Sequence, residues 1–206
     1  MKILAIMGSP RGNGNTAEIL NCLQASAQGD DRVEIVSLCD YKIQGCTGCS
    51  NCQKDTAGFA CVQKDDGNLL LGKIRKADAV LYGTPLYGHN YSGQLKIFLD
   101  RHLPLFKFAG GKENAVEEME ILSAIENKPV GLLVSCQGPE ENNTELVKQL
   151  FDKFCGSSLA ACFGKYVFPF CNPDISLSFY DLETVNRIFE DIHKTAYEKN
   201  VKRYLS

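Results

Sequence analysis

Residues 2–16, KILAIMGSPRGNGNT, contain the strand, turn and helix entry from which the fold can be read. Lys2–Met7 is rich in Ile and Leu and lacks period-two alternation, so it reads as a strand buried on both faces. Asn15-Thr16-Ala17-Glu18 reads as a capping-box-like helix start, with Ile19, Leu20 and Leu23 on the apolar face of the helix. Between them, Gly8 to Thr16 joins a buried strand directly to a helix N-terminus, where free backbone N–H groups and the helix dipole favour an anion. Ser9 and Thr16 add hydroxyls, Asn13 and Asn15 add amides, and Arg11 adds a charge able to take two phosphate oxygens at once. The dianion of a terminal phosphate monoester would use all of these. The spacing is neither that of a P-loop, G-x-x-x-x-G-K-[ST], nor the dinucleotide G-x-G-x-x-G.

Further strands are expected at Arg32–Leu38, Ala79–Gly83 and Pro129–Ser135, with a fifth containing Tyr166–Phe168. Helical patterns lie between and after them. One runs from about Asn68 to Lys76, one is capped by Ser92 and carries Leu95, Phe98 and Leu99, and one carries Leu146, Val147, Leu150, Phe151 and Phe154. The last carries Leu182, Val185, Ile188, Phe189 and Ile192. Five buried strands alternating with five helices argue for a doubly wound α/β fold with a parallel sheet covered on both faces. Ligands of such folds lie outside the carboxyl ends of the strands. Two more loops therefore matter. In Thr84 to Tyr91, a Pro-fixed backbone with Leu86, Tyr87 and Tyr91 gives a rigid wall suited to an aromatic heterocycle. Cys136-Gln137-Gly138-Pro139-Glu140 is a Gly-containing turn at the same sheet edge. The stretch from about His102 to Asn127 breaks the alternation at Gly110-Gly111, and its acidic run Glu117-Glu118-Met119-Glu120 reads as a short exposed helix.

With 22 Lys plus Arg against 25 Asp plus Glu, the net charge of −3 gives no global attraction for nucleic acid or an anionic membrane. No apolar run approaches the ~20 residues of a membrane helix, and Met1-Lys2 with its short apolar run is no signal peptide. A cytoplasmic protein is expected. Ten cysteines are then too many to be a disulfide framework in a reducing compartment. Cys22, Cys39, Cys136, Cys155, Cys162 and Cys171 are scattered and read as small buried hydrophobes. Cys46-x2-Cys49-x2-Cys52-x8-Cys61 is different, because four thiolates at this spacing, with Gly45, Gly48 and Gly58 to let the backbone wrap, suit a [4Fe–4S] cluster or tetrahedral zinc. Free thiols and a redox disulfide are the remaining readings.

The segments ILAIMGSPRGNGNT, AVLYGTPLYGHNYSGQLKIFLDR and CTGCSNCQKDTAGFACVQKDD together resemble the flavodoxin-like, NAD(P)H-dependent FMN reductases and, within them, the iron–sulfur flavoproteins. The resemblance covers most of residues 1–101 and, more loosely, 129–200, and departs from the family pattern at Gly88-His89-Asn90. It implies one flavodoxin-like FMN-binding domain over residues 1–206, with a Cys-rich loop at 45–62 and an irregular insertion at about 102–127. Ser9, Arg11, Asn13, Asn15 and Thr16 would bind the FMN phosphate; Pro85, Leu86, Tyr87 and Gly88 would line the isoalloxazine, with Cys136, Gln137 and Gly138 nearby. Cys46, Cys49, Cys52 and Cys61 would hold [4Fe–4S]. The implied activity is electron transfer from NAD(P)H or a ferredoxin-like donor through flavin N5 to a small-molecule or protein acceptor, with no catalytic side chain, in a homodimer or homotetramer. Two alternatives remain at this point: a non-catalytic flavin or iron–sulfur electron carrier, and an NAD-dependent Rossmann dehydrogenase with Asp40 as its ribose-binding acid.

Overall fold

A computed structural model describes residues 1–54, 58–109, 120–172 and 179–205. Its strands and helices, in chain order, are β1 (Lys2–Met7), α1 (Asn15–Ala25), β2 (Arg32–Ser37), α2 (Asn51–Lys54), α3 (Gly67–Lys76), β3 (Ala79–Pro85), α4 (Gly93–Asp100), β4 (Phe106–Ala109), β5 (Glu120–Ser123), β6 (Pro129–Ser135), α5 (Glu145–Ser158), β7 (Ala161–Phe168) and α6 (Phe179–Leu205). Five strands form one parallel sheet in the order β2-β1-β3-β6-β7, while β4 and β5 make a separate antiparallel pair. Without that pair, the sheet runs second, first, third, fourth, fifth, which is the flavodoxin-like order. A dinucleotide Rossmann sheet would separate the first and third strands by the second, so Asp40 has no such fold around it.

The alternation of side chains along β1 separates two cores. Leu4 and Ile6 join Leu70, Ile74, Leu95, Phe98, Val147 and Phe151 on the face covered by α3, α4 and α5. Ile3, Ala5 and Met7 join Ile19, Leu20, Leu23, Val185, Ile188 and Ile192 on the face covered by α1 and α6. Such two-sided burial explains why β1, β3 and β6 read as unbroken apolar runs. Among the described residues, no helix is long and apolar enough to cross a membrane.

Some expectations are corrected. Gly14, not Asn15, caps α1: its carbonyl accepts from the Glu18 N–H at 3.0 Å, so Asn15 lies inside the helix and no capping box forms. Glu120 pairs with Ala109 in the β4–β5 ladder rather than lying in a helix, and the rest of the acidic run, with Gly110-Gly111, lies outside the described residues. A sixth helix, the single turn α2, forms within the cysteine segment. Leu146 and Leu182 are exposed, both in the first turns of their helices ahead of the residues that meet the sheet. Of the scattered cysteines, Cys136 and Cys155 are buried, Cys22 and Cys171 half-buried, and Cys39 and Cys162 exposed. Cys39 sits in a 3-10 turn (Leu38–Asp40) and Cys162 near the start of β7, an edge strand of the sheet.

Candidate functional site

The loops after β1, β3 and β6 meet at the carboxyl edge of the sheet, where β1 and β3 lie side by side and the chain leaves in opposite directions. They enclose a cleft of about 280 Å³ lined by Ser9, Arg11, Asn15, Thr16, Pro85, Leu86, Tyr87, Ser135, Cys136, Gln137 and Cys171. Nine of these eleven were expected from sequence, and the cleft unites the phosphate-type donors with the flat apolar wall. Asn13, Gly88 and Gly138 are not among its lining residues.

Hydrogen bonds fix the loops to one another. Ser92 donates to the Gly8 carbonyl at 2.5 Å, accepts from the Leu95 N–H at 3.2 Å as the cap of α4, and gives its own N–H to Thr84 Oγ1 at 3.0 Å. One serine thereby joins the turn after β1 to the turn after β3. Gly8 is required at that crossing, since a Cβ there would stand 2.7 Å from Leu95 Cβ and 3.1 Å from the Gly83 carbonyl. On the other side Thr16, buried in the first turn of α1, places Oγ1 2.7 Å from Ser135 Oγ at the end of β6. Ser9 turns inward, donating to the Arg11 carbonyl and accepting from the Arg11 N–H, both at 3.1 Å. The Arg11 side chain lies across Gly14, where a Cβ would meet Nε at 3.2 Å. Its guanidinium therefore lies beside the N-terminus of α1, where the N–H groups of Asn15, Thr16 and Ala17 precede the first intrahelical bond. Cation, helix dipole and free donors converge there, which is the chemistry of a phosphate group.

Tyr87 and Asn90 exchange backbone hydrogen bonds of 3.1 Å each, closing a two-residue hairpin on Gly88 and His89 with φ of 55° and 59°. Positive φ at both central positions is the type I′ geometry, so Gly88 shapes this wall rather than touching its contents. Tyr87 is 46% exposed and stands at the rim.

Ser135 and Cys171 are lining residues that sequence reading missed. Ser135 was counted as strand, and it is indeed the last residue of β6, but that end is the floor of the cleft. Cys171 arrives because its N–H donates to the Cys136 carbonyl at 2.9 Å, prolonging the β6–β7 pairing beyond both strands. Burial pushes the Cys136 thiol up, and pushes Cys171 up to about 11. Both stay protonated and line the cleft as neutral groups rather than nucleophiles.

Cys46, Cys49, Cys52 and Cys61 line a second, small cavity together with Arg101. The segment is clamped from two sides. Gln53 Nε2 donates to the Leu103 and Phe106 carbonyls at 3.0 and 3.1 Å, and its Oε1 accepts from the Phe108 N–H at 3.1 Å. Asn68 exchanges hydrogen bonds of 2.7 and 2.8 Å with the Cys61 backbone. Part of the insertion at 102–127 therefore supports the cysteine segment. Burial raises the Cys52 thiol, whereas the Asn51 backbone N–H lowers exposed Cys49. Buried Arg101 grips Asp65 through both terminal nitrogens at 2.7 and 3.0 Å, while among the described residues its Nε–H has no hydrogen-bond partner. Among the described residues no His, Cys, Asp or Glu group is arranged to hold a metal ion. Four thiols around one cavity, with Arg101 as a cationic wall, are the donor types of a thiolate-ligated centre.

A family model described as NADPH-dependent FMN reductase matches residues 1–172. An iron–sulfur flavoprotein of Methanocaldococcus jannaschii is 37% identical over 106 residues, 51% of this chain and 53% of that protein. One from Archaeoglobus fulgidus is 39% identical over 105 residues, 50% of this chain and 46% of its own length. The chain thus spans about half the length of the curated relatives it matches. Among solved structures, RosB with bound 8-demethyl-8-formylriboflavin-5′-phosphate superposes with a TM-score of 0.69 at 15% identity, covering 100% of this chain and 82% of that one. An azoreductase from Bacillus anthracis gives 0.61 at 16% identity, covering 97% and 99%. These likenesses agree with the flavodoxin-like order of the sheet, and the family match takes in β1 through β7 with all three cleft loops: the chain belongs to the NADPH-dependent FMN reductase family.

Proposed function

We propose that this chain binds FMN in the cleft at the carboxyl edge of its sheet and acts as an NAD(P)H-dependent oxidoreductase. The carrying observation is the convergence of Arg11 and the α1 N-terminus on one side of that cleft with Pro85, Leu86 and Tyr87 on the other. When bound, FMN would supply hydride-accepting and electron-donating redox chemistry. The residues contribute binding and placement. Arg11, Asn15 and the first N–H groups of α1 would hold the phosphate dianion, with Thr16 and Ser135 fixing the floor; Asn13 lies in the same loop. Pro85, Leu86 and Tyr87 would pack against the ring, the Gly88-His89 turn holds that wall rigid, and Cys136 and Gln137, with Gly138 in the same turn, would lie beside it. Because no acid or base is required of the cleft, its two thiols can remain protonated.

Cys46, Cys49, Cys52 and Cys61 would hold a [4Fe–4S] cluster, which supplies one-electron transfer when present; the buried Arg101 Nε, without a partner among the described residues, supports this reading. The acceptor would be a small molecule or a protein. A homodimer or homotetramer in the cytoplasm completes the proposal, with the exposed Tyr87 rim as the surface a second copy would cover. The test is anaerobic purification with quantitation of FMN, iron and sulfide, followed by NADH and NADPH oxidation with added FMN and a quinone acceptor. Steady oxidation is expected. FMN bound without any nicotinamide oxidation would leave an electron carrier, and no FMN binding would overturn the reading.

A further inference from the structure

Away from both cysteine-lined cavities, α5 and β7 bring two more thiols together. The β6–β7 register shifts between Val130 and Gly131, leaving Phe163 as the extra residue on β7. Such a bulge re-aims side chains. Phe163 turns to the α1–α6 face, where its ring occupies the space a Gly131 side chain would need. Lys165 turns to the opposite face and pairs with Asp152 of α5. Cys162 and Cys155 lie three residues from the members of that ion pair, Cys162 before Lys165 and Cys155 after Asp152, forming a second rung between the same two elements. The Cys155 and Cys162 side chains lie against each other across that rung. Cys162 Sγ also lies 3.9 Å from the Gly164 carbonyl, and the Ala160 N–H donates to the Cys155 carbonyl at 3.1 Å, closing the turn between the two elements.

The two thiols differ in the way an exchange reaction needs. Cys162 is exposed, Cys155 is 6% exposed within the core beneath α5. The neighbouring Cys155 thiol, with the Gly164 backbone and the Lys165 charge, holds Cys162 below the ordinary thiol range, against burial and the charge of Asp152, which favours the thiolate there over the one at Cys155. Cys155 keeps its proton, its pKa raised by the neighbouring Cys162 side chain and by burial.

We infer that Cys162 and Cys155 form a thiol–disulfide exchange site that reduces low-molecular-weight disulfides. The Cys162 thiolate attacks one sulfur of R–S–S–R; that S–S bond breaks, and the departing thiolate takes a proton from water. Cys155 sulfur then attacks Cys162 sulfur in the mixed disulfide. Its bond to R breaks, and the second thiolate leaves with the Cys155 proton. Two protein thiols are oxidised to one disulfide and one external disulfide is reduced to two thiols.

Trypsin should release both cysteines, and no other, in the peptide Phe154–Lys165. The purified protein is incubated with oxidised glutathione at pH 7.5, quenched in acid, alkylated in denaturant and digested, and that peptide is weighed. The expected product is the peptide lacking two hydrogens, with neither cysteine alkylated. Cys155→Ser should stop with one glutathionyl group on Cys162, and Cys162→Ser, at an exposed position, should leave Cys155 fully alkylated. A wild-type peptide carrying two alkyl groups, or a glutathionyl group that persists on wild-type Cys162, would overturn the inference.

Discussion

Thr16 Oγ1 and Ser135 Oγ lie 2.7 Å apart beneath the cleft, joining the first turn of α1 to the last residue of β6 across 119 positions of sequence. Both hydroxyls are buried, so each is the other's replacement for water. Losing one partner strands a buried polar group, at a cost of about 1–3 kcal/mol. Thr16→Ala and Ser135→Ala should each lower the urea midpoint, and the double variant should lose less than the sum of the two. Strict additivity in the double-mutant cycle would mean that the bond carries no stability.

Gly8→Ala probes the crossing of the first two loops. The new Cβ would meet Leu95 Cβ at 2.7 Å, a contact that must push α4 and its Ser92 cap away from β1. Overpacking of this kind costs about 1–3 kcal/mol. FMN affinity should fall together with stability, because Ser92 also positions the turn after β3. A variant as stable as wild type would contradict the close approach.

Acid should weaken the fold in two stages. Burial holds His102 down at about 4, below its ordinary 6.5, and the neutral ring sits between Tyr82 Oη and the Phe98 carbonyl. Between pH 6.5 and 4 the unfolded chain takes a proton that the native ring refuses, so stability present above this window is lost as pH falls through it, by roughly 3 kcal/mol. The Arg101 guanidinium holds Asp65 down at about 2 from 3.8, so its contribution, roughly 2 kcal/mol, is present above pH 3.8 and lost on the way to 2. Denaturant midpoints from pH 7 to pH 3 should show the first decline, and His102→Gln should remove it. A flat profile down to pH 4 would contradict the assignment.

Lys107 is 1% exposed, its ammonium nitrogen has no hydrogen-bond partner, and it lies 5.4 Å from the centroid of the Phe59 ring near Cys61. Among the described residues it has no counter-charge, and a buried cation left unpaired costs stability. Lys107→Met should therefore raise the thermal midpoint of the apoprotein, and a marked fall would show the lysine to be satisfied in solution.

The local periodicities of β1, β3, β6 and α3 were legible because each is an apolar run or stripe whose burial depends on its own residues. The three loops were legible for a related reason: parallel strands deliver their carboxyl ends to one edge, so any Gly-rich turn after a strand must face the others. Contributions from a distant part of the chain were not legible. Cys171 reaches the cleft through pairing with Cys136, and nothing near residue 171 in the sequence signals that. Nothing in the sequence pairs Arg101 with Asp65, 36 positions away; the fold buries them against each other. The β4–β5 pair was missed because its strands are only four residues each and their partner faces are set by the cysteine segment. Asn15 misled because Gly14, with no side chain to offer, caps the helix through its carbonyl alone.

The central claim is that the cleft binds FMN by its phosphate, and comparing FMN with riboflavin tests it most directly. Apoprotein titrated with each, followed by flavin fluorescence, should bind FMN at least about a hundredfold more tightly, since charge-assisted hydrogen bonds contribute about 1.5–3 kcal/mol each. Arg11→Ala should leave the circular dichroism spectrum unchanged, lower FMN affinity by roughly tenfold or more, and scarcely alter riboflavin binding. Equal affinities for the two flavins, or an Arg11→Ala protein that binds FMN as wild type does, would contradict the account.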